Sequence, residues 1–194
     1  MKAYTMGSNS SILLQKEEIN AIAIETGFSP NQIKRLYNRF TALDKDKAGY
    51  LTRNDLLRIP ELHVNPLCDR IIEVLIDDHG KDGKLNFRQF AQVFSTFRRE
   101  KNENNNLNSK ENKLKFLFGI YDRDKDNKIN KSELLGILKM LVGSNIPEEQ
   151  MNAIAERTIT ELDENGDLVI TFEEFCDTLK KIDVDEKMSM KFLT

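Results

Sequence analysis

Residues 121–135, YDRDKDNKINKSELL, place oxygen-bearing side chains at alternate positions and end with an acidic residue before a leucine pair. Calcium takes about six to eight hard oxygen ligands, and a short loop can supply them from its positions 1, 3, 5, 7, 9 and 12. With Asp122 as position 1, the ligands are Asp122, Asp124, Asp126, the main-chain carbonyl of Lys128, Asn130 and Glu133. Position 6 needs a sharp turn, and Asn127 is a residue that tolerates positive φ. The stretch therefore predicts a calcium-binding loop rather than a charged surface turn.

A second stretch, residues 162–175 (LDENGDLVITFEEF), repeats the pattern and identifies both as EF-hand loops. Its predicted ligands are Asp163, Asn165, Asp167, the main-chain carbonyl of Val169, Thr171 and Glu174. Leu168 falls at position 6, where a branched residue is strained; moving Gly166 there would put Phe172 at position 12 and lose the carboxylate. We therefore predict two bound Ca²⁺ ions, with the 122–133 loop the tighter site.

Two further copies of the loop have lost ligands. In residues 44–55, Ala48 offers no side-chain oxygen at position 5, and Asp55 is short for position 12. In residues 78–89, glycine stands at position 3 and Gln89 at position 12. Both copies are predicted to keep the fold without calcium, and weak magnesium binding by the 44–55 loop remains an alternative.

The four loops begin at residues 44, 78, 122 and 163, at intervals of roughly 40 residues, which is typical of a repeat architecture. Helical apolar periodicity flanks each loop, and position 8 is apolar (Ile129 and Ile170 in the last two). EF-hands pack in pairs, so the predicted fold is all-α: four EF-hands in two paired lobes, with short β-pairing between loops. The predicted divisions are an N-terminal segment with the first helix (1–26), an N-lobe (27–98), a polar linker (99–109), a C-lobe (110–183) and an apolar tail (184–194).

Composition narrows the function classes. The 194 residues include 29 Lys and Arg against 32 Asp and Glu, a net charge of −3, which argues against nucleic acid as the main partner. Cys68 and Cys176 are expected to be free thiols, and no signal peptide or membrane span is visible, so a cytoplasmic location is expected. The two histidines have no nucleophile or paired carboxylates placed around them, so the chain is predicted not to be an enzyme.

Residues 6–11, MGSNSS, match a myristoylation signal. Gly7 would carry the lipid if translation began at Met6, which intact-mass analysis of protein from native tissue would test. One myristoyl chain binds membranes only marginally, on the order of 10⁴ M⁻¹. A stable peripheral position at the plasma membrane or endomembranes would then need a protein partner.

The chain resembles the calcineurin B homologous proteins, an EF-hand family that binds the cytoplasmic juxtamembrane helix of sodium/proton exchangers. The matching stretches are MGSNSS (6–11), ETGFS (25–29), IPELHVNPLCDRII (59–72), NKLKFLFGIYD (112–122), LKMLVGSNI (138–146), AERTI (155–159) and KMSMKFL (187–193). Calcineurin B is similar across the helices but normally keeps four working loops, whereas this family keeps the third and fourth. The residue at position 6 of the fourth loop and the five residues before Met6 depart from the family pattern.

The resemblance implies a calcium-loaded subunit that binds an amphipathic exchanger helix and supports exchanger activity, stability or membrane delivery. The alternatives are a regulatory B-type subunit of a calcineurin-like phosphatase and a plain calcium buffer. LLGILKML (134–141) is similar to a nuclear export signal, although an amphipathic core helix is the preferred interpretation. Candidates to line the partner groove, several of which must instead be core, are Phe87, Phe90, Phe94, Leu134, Leu138, Met140, Leu141 and Leu179.

Overall fold

A computed structural model describes residues 14–98 and 106–188 of the chain. Gly7, the end of the apolar tail and most of the polar linker therefore lie outside the described residues. The α-helices run α1 Lys16–Thr26, α2 Pro30–Leu43, α3 Arg53–Leu56, α4 Pro60–His63, α5 Cys68–His79, α6 Phe87–Thr96, α7 Lys110–Tyr121, α8 Lys131–Val142, α9 Glu148–Leu162, α10 Phe172–Thr178 and α11 Val184–Lys187. The strands are β1 Tyr50–Leu51, β2 Leu85–Asn86, β3 Lys128–Asn130 and β4 Val169–Thr171.

Each helix that leaves a loop begins with a capping box built from loop positions 9 and 12. The pairs are Thr52 with Asp55, Asn86 with Gln89, Asn130 with Glu133, and Thr171 with Glu174. In the last three pairs the first side chain accepts from the amide three residues on, and the second side chain accepts from the amide of the first. In the first pair, Asp55 accepts from the amide and the hydroxyl of Thr52. The residues that would bind metal therefore also start the helix.

The loops join in pairs through short antiparallel strands. Leu51 lies opposite Leu85 in the first pair, and Ile129 lies opposite Ile170 in the second. These four side chains are buried, so each β-pair also contributes to the core of its lobe. The mostly helical fold with two small antiparallel pairs confirms the predicted fold class.

The N-lobe core includes residues that the predicted boundary placed in the N-terminal segment. Ile19 and Ile22 of α1 are buried in the same cluster as Phe40 and Phe90, whose rings meet edge to face at 5.6 Å. Arg88 of α6 also binds Glu25 at the end of α1. The first helix thus packs against the N-lobe.

The C-lobe core is built around Phe118, whose ring lies 5.4 Å from the rings of both Phe172 and Phe175. The predicted tail begins with α11, whose Val184 is buried in this core. Between the lobes, Val74 of α5 packs with Ile120 of α7 and Ile137 of α8. No helix within the described ranges is both long and apolar enough to cross a membrane.

Candidate calcium centre

The first three predicted ligands of the 122–133 loop lie together. Carboxylate oxygens of Asp122, Asp124 and Asp126 all fall within 4.8 Å of one another. Asp122 is buried, and its Oδ2 accepts a bond of 3.0 Å from the amide of Asn127. Its Oδ1 is also buried and has no hydrogen-bond partner among the residues that the structure describes. A buried carboxylate oxygen without a donor is costly, and a cation beside it would supply the missing interaction.

Glu133 faces this cluster from the other end of the loop. Its Oε1 accepts from the amide of Arg123 at 2.7 Å, and its Oε2 accepts from the amide of Asn130 at 3.0 Å. Both oxygens therefore lie against the loop backbone, where a carboxylate at position 12 can bind one ion through both of them. Lys128, whose carbonyl is the position-7 ligand, begins β3.

The electrostatics of the loop also favour a cation. Burial raises the pKa of Asp122, and the negative charges of Glu133 and Asp126 add to the shift. The ionised cluster is thus unfavourable without a compensating charge. Hard oxygen donors without sulfur or imidazole suit Ca²⁺ and Mg²⁺ rather than Zn²⁺. The residues present fit a calcium ion.

The 163–174 loop has the same plan with fewer carboxylates. Asp163 accepts from the amides of Gly166 at 2.7 Å and Leu168 at 2.7 Å, and Asn165 Oδ1 accepts from the amide of Asp167 at 2.9 Å. Within the described ranges, its acidic side chains do not form a compact group like that of the 122–133 loop.

Thr171 and Glu174, also predicted ligands of this loop, are hydrogen-bonded to each other. Glu174 Oε2 accepts from the amide and the hydroxyl of Thr171, each at 2.8 Å. These bonds hold the pKa of Glu174 below its usual range. Asp167 is in addition 3.4 Å from Nζ of Lys128, a charge that competes with a cation. Val169, whose carbonyl is the position-7 ligand, begins β4.

Comparisons with known proteins agree with this geometry. The family model for an EF-hand domain pair matches residues 111–180, which contain both loops. Over 186 residues the chain is 42% identical to the calcineurin B subunit of Naegleria gruberi, covering 96% of this chain and 99% of the relative. It is also 38% identical over 188 residues to the type 1 calcineurin B subunit of Dictyostelium discoideum, covering 96% and 99%.

The chain belongs to the calcineurin B family of EF-hand proteins.

This assignment makes it a calcium-binding EF-hand protein of a regulatory family, and both relatives are named as subunits. The number of ions and the individual ligands stay predictions. The two relatives are calcineurin B subunits themselves, so the narrower resemblance to the exchanger-binding subfamily is not confirmed.

Position 6 of the loops shows how the calcineurin B fold constrains its sequence. Gly49, Asn127 and Leu168 all adopt positive φ, at 81°, 64° and 65°. Glycine and asparagine accept this backbone readily, whereas a left-handed conformation costs a branched residue roughly 1–2 kcal/mol. The Leu168 side chain is 72% exposed, so little packing offsets that cost.

Leu168→Gly is expected to tighten calcium binding by the 163–174 loop by up to about tenfold, because roughly 1.4 kcal/mol of strain corresponds to one decade. Calorimetry in a Glu133→Gln background would measure that loop alone. Asn127→Gly, in a Glu174→Gln background, is the matched control and should change affinity less because asparagine is already tolerated. Equal effects of the two substitutions would contradict the strain argument.

In the decayed 44–55 loop, the carboxylate at position 12 is paired with a cation of the chain itself. In the 44–55 loop, Asp44 accepts from the amides of Ala48 at 2.9 Å and Gly49 at 2.8 Å. Asp55 Oδ1 lies 3.0 Å from a guanidinium nitrogen of Arg58, and its Oδ2 accepts from Thr52. Magnesium binding by this loop stays an alternative, and Arg58 would compete with the ion.

The 78–89 loop departs further from the pattern. Helix α5 continues through Asp78 to His79, whereas α2, α7 and α9 end before position 1 of their loops. A tight hairpin follows, with Lys81 and Lys84 bonded to each other across Asp82 and Gly83. Gly80 is needed at its start, since a Cβ there would lie 2.5 Å from the carbonyl oxygen of Ile76. The main chain of this loop therefore differs from that of the other three loops, and Asp78 pairs with Lys125.

Proposed function

We propose that this chain is the calcium-binding regulatory subunit of a calcineurin-type protein phosphatase and that it binds a helix of the catalytic subunit. The observation that carries the proposal is the similarity to two calcineurin B subunits across nearly the whole length of each chain. Similarity over the full length includes the helices that would contact a partner as well as the metal loops.

The C-lobe offers apolar surface for such a helix. Met140 and Leu141 at the end of α8 and Ile154 of α9 are exposed, and α8 packs against α9. An amphipathic helix recognises a surface of this kind through apolar anchors one turn apart. Of the groove candidates named from sequence, Phe87 and Phe90 belong to the N-lobe core and Leu134 to the C-lobe core. Helical spacing alone cannot separate the core face of a helix from a partner face.

One observation favours a second candidate, binding to a sodium/proton exchanger helix. One carboxylate in each N-lobe loop is paired with a cation of the chain itself, Asp55 with Arg58 and Asp78 with Lys125. The calcineurin B homologous proteins are the branch of this family expected to keep only the third and fourth sites. This candidate and a plain calcium buffer are therefore alternative outcomes of the same experiment.

The test is calorimetric titration of the full chain with two synthetic helices, one from a calcineurin catalytic subunit and one from an exchanger juxtamembrane segment. In calcium, the phosphatase helix is expected to bind at least about tenfold more tightly, a difference of about 1.4 kcal/mol. A chelator should weaken binding, and moderate salt should not, because apolar contacts dominate.

Two substitutions test which apolar surface of the chain binds the partner helix. Leu141→Ser should weaken helix binding, whereas Ile24→Ser, which changes an exposed residue of the N-lobe helix α1, should not. Tighter binding of the exchanger helix would select the second candidate. If neither helix bound in calcium, the remaining interpretation would be a calcium-buffering protein.

A further inference from the structure

A buried arginine of the N-lobe reaches into the C-lobe. Arg70 lies on α5 and is 3% exposed. Its Nε donates to the carbonyl of Ile120 at 3.1 Å, and its Nη2 donates to the carbonyls of Gly119 at 2.8 Å and Asp122 at 3.3 Å. Its Nη1 donates to Glu73 on the same helix at 2.6 Å. Three of these four hydrogen bonds therefore go to main-chain oxygens of the C-lobe.

These oxygens lie where α7 meets the 122–133 loop. The last carbonyls of a helix have no partner within it, and a cation at this end interacts favourably with the helix dipole. Asp122 is the first predicted ligand of the loop, and its own amide donates to Phe118 at 2.9 Å. Arg70 binds its carbonyl, so both main-chain groups of Asp122 are held. The orientation of the first ligand therefore depends on a residue of the N-lobe.

A second contact joins the same two segments. Lys125, at position 4 of the loop, lies 2.9 Å from Asp78 and 3.6 Å from Asp77 at the end of α5. This pair is exposed and contributes little by itself. It exists because α5 continues past the start of the decayed 78–89 loop, which leaves Asp78 free of a metal site. Val74 of α5 and Ile120 of α7 are also buried together in one apolar cluster.

We infer that Arg70 is a positioning residue for the calcium site of the 122–133 loop and couples calcium binding there to the stability of α5. Coupling between two sites is reciprocal, so calcium must protect α5 by the same factor by which α5 improves calcium affinity. The inference rests on calcium binding by this loop and does not depend on which partner the chain binds.

Whether removal of Arg70 raises or lowers the calcium affinity distinguishes a positioning role from charge repulsion alone. A guanidinium close to a divalent cation repels it, so its removal would raise calcium affinity if charge alone mattered. If Arg70 acts by orienting Asp122, its removal lowers the affinity. Arg70→Lys keeps the charge and loses the fork, whereas Arg70→Met loses both.

The first measurement is calcium calorimetry in a Glu174→Gln background, in which the 122–133 loop is the site that remains. Both Arg70 variants are expected to bind calcium about tenfold more weakly, the lower end for loss of a residue that orients a metal ligand. Arg157→Met is the matched control, since Arg157 pairs with Glu161 on the exposed face of α9, and its affinity should not change. An unchanged or increased affinity in the Arg70 variants would overturn the inference.

The second measurement needs no change at Arg70 and covers the case in which those variants fail to fold. Hydrogen exchange of α5 amides is compared with and without calcium in Glu174→Gln and Glu133→Gln chains. Calcium should protect α5 when the 122–133 loop is intact and not when it is disabled. The coupling would be refuted if calcium protected the α5 amides only when the 163–174 loop is intact, or if it protected them in neither variant. If the 122–133 loop binds no calcium, the assignment of this loop as a calcium site is wrong as well. If it binds calcium with an affinity that Arg70 substitutions do not change, only this inference is wrong.

Discussion

Glu133→Gln is expected to weaken calcium binding by the 122–133 loop by at least about 100-fold, since loss of even an outer-shell partner typically costs 10–100-fold. Both Glu133 oxygens face the loop, one bonded to the amide of Arg123 and the other to that of Asn130. Glutamine offers one oxygen and no charge, so it can neither bind the ion through two oxygens nor neutralise it.

The substitution should leave the fold intact. The Glu133 side chain also accepts a capping hydrogen bond from the amide of Asn130 at the start of α8, and a glutamine side chain can accept the same bond. Glutamine already has this role elsewhere in the chain, because the Gln89 side chain accepts from the amide of Asn86 at the start of α6. Circular dichroism of the metal-free variant should therefore match that of the parent chain.

Glu174→Gln is the matched comparison. The 122–133 loop supplies four carboxylates, with Asp122 buried, whereas the 163–174 loop supplies three and carries the strained Leu168. Calcium calorimetry of the two single variants should therefore leave the higher residual affinity in the chain that keeps the 122–133 loop. The reverse order would show that the charge count does not rank these sites.

Asp185→Ala is expected to lower the free energy of unfolding by about 3 kcal/mol, the lower end for breaking a buried ion pair. Lys113 of α7 is 1% exposed, and its Nζ lies 2.6 Å from Oδ1 of Asp185 in α11. Removing the carboxylate leaves an ammonium in the interior and loosens the segment that buries Val184. Urea unfolding in the presence of calcium would measure the loss.

Two further variants make this result specific. Asp177→Ala breaks the exposed pair with Lys180 and should change the free energy of unfolding by no more than about 1 kcal/mol. A Lys113→Met and Asp185→Ala double variant should recover much of the loss, because replacing both partners of a buried pair with apolar groups is often neutral. If Asp185→Ala and Asp177→Ala were equally mild, α11 would not be held by this pair.

Local chemistry explains which features could be predicted. The spacing of oxygen-bearing residues from Asp122 to Glu133 predicts a loop, and the apolar residue at position 8 predicts its β-partner, because both depend on residues close in sequence. Positive φ at Leu168 follows from the same register, and the structure shows it at 65°. The fold class was predicted correctly for this reason.

The preferred partner was a harder inference. Exchanger and phosphatase helices are both expected to be amphipathic, so either could bind an exposed apolar surface such as that at Met140 and Leu141. Sequence stretches suggested the exchanger branch, whereas the two relatives matched over their full length are calcineurin B subunits and favour the alternative. Motifs that maintain the fold are shared by both branches and cannot distinguish them.

The sequence alone predicted the four-loop repeat, the two ligand sets and the helices that flank them, since each depends on residues within about a dozen positions of one another. Only the tertiary structure revealed that Arg70 holds the main chain of Asp122 and that Lys113 is buried against Asp185. It also showed that α5 runs through Asp78 and turns a former ligand position toward Lys125. These contacts join residues about 50 to 70 positions apart, and no periodicity encodes them, because they depend on how the lobes and the tail pack.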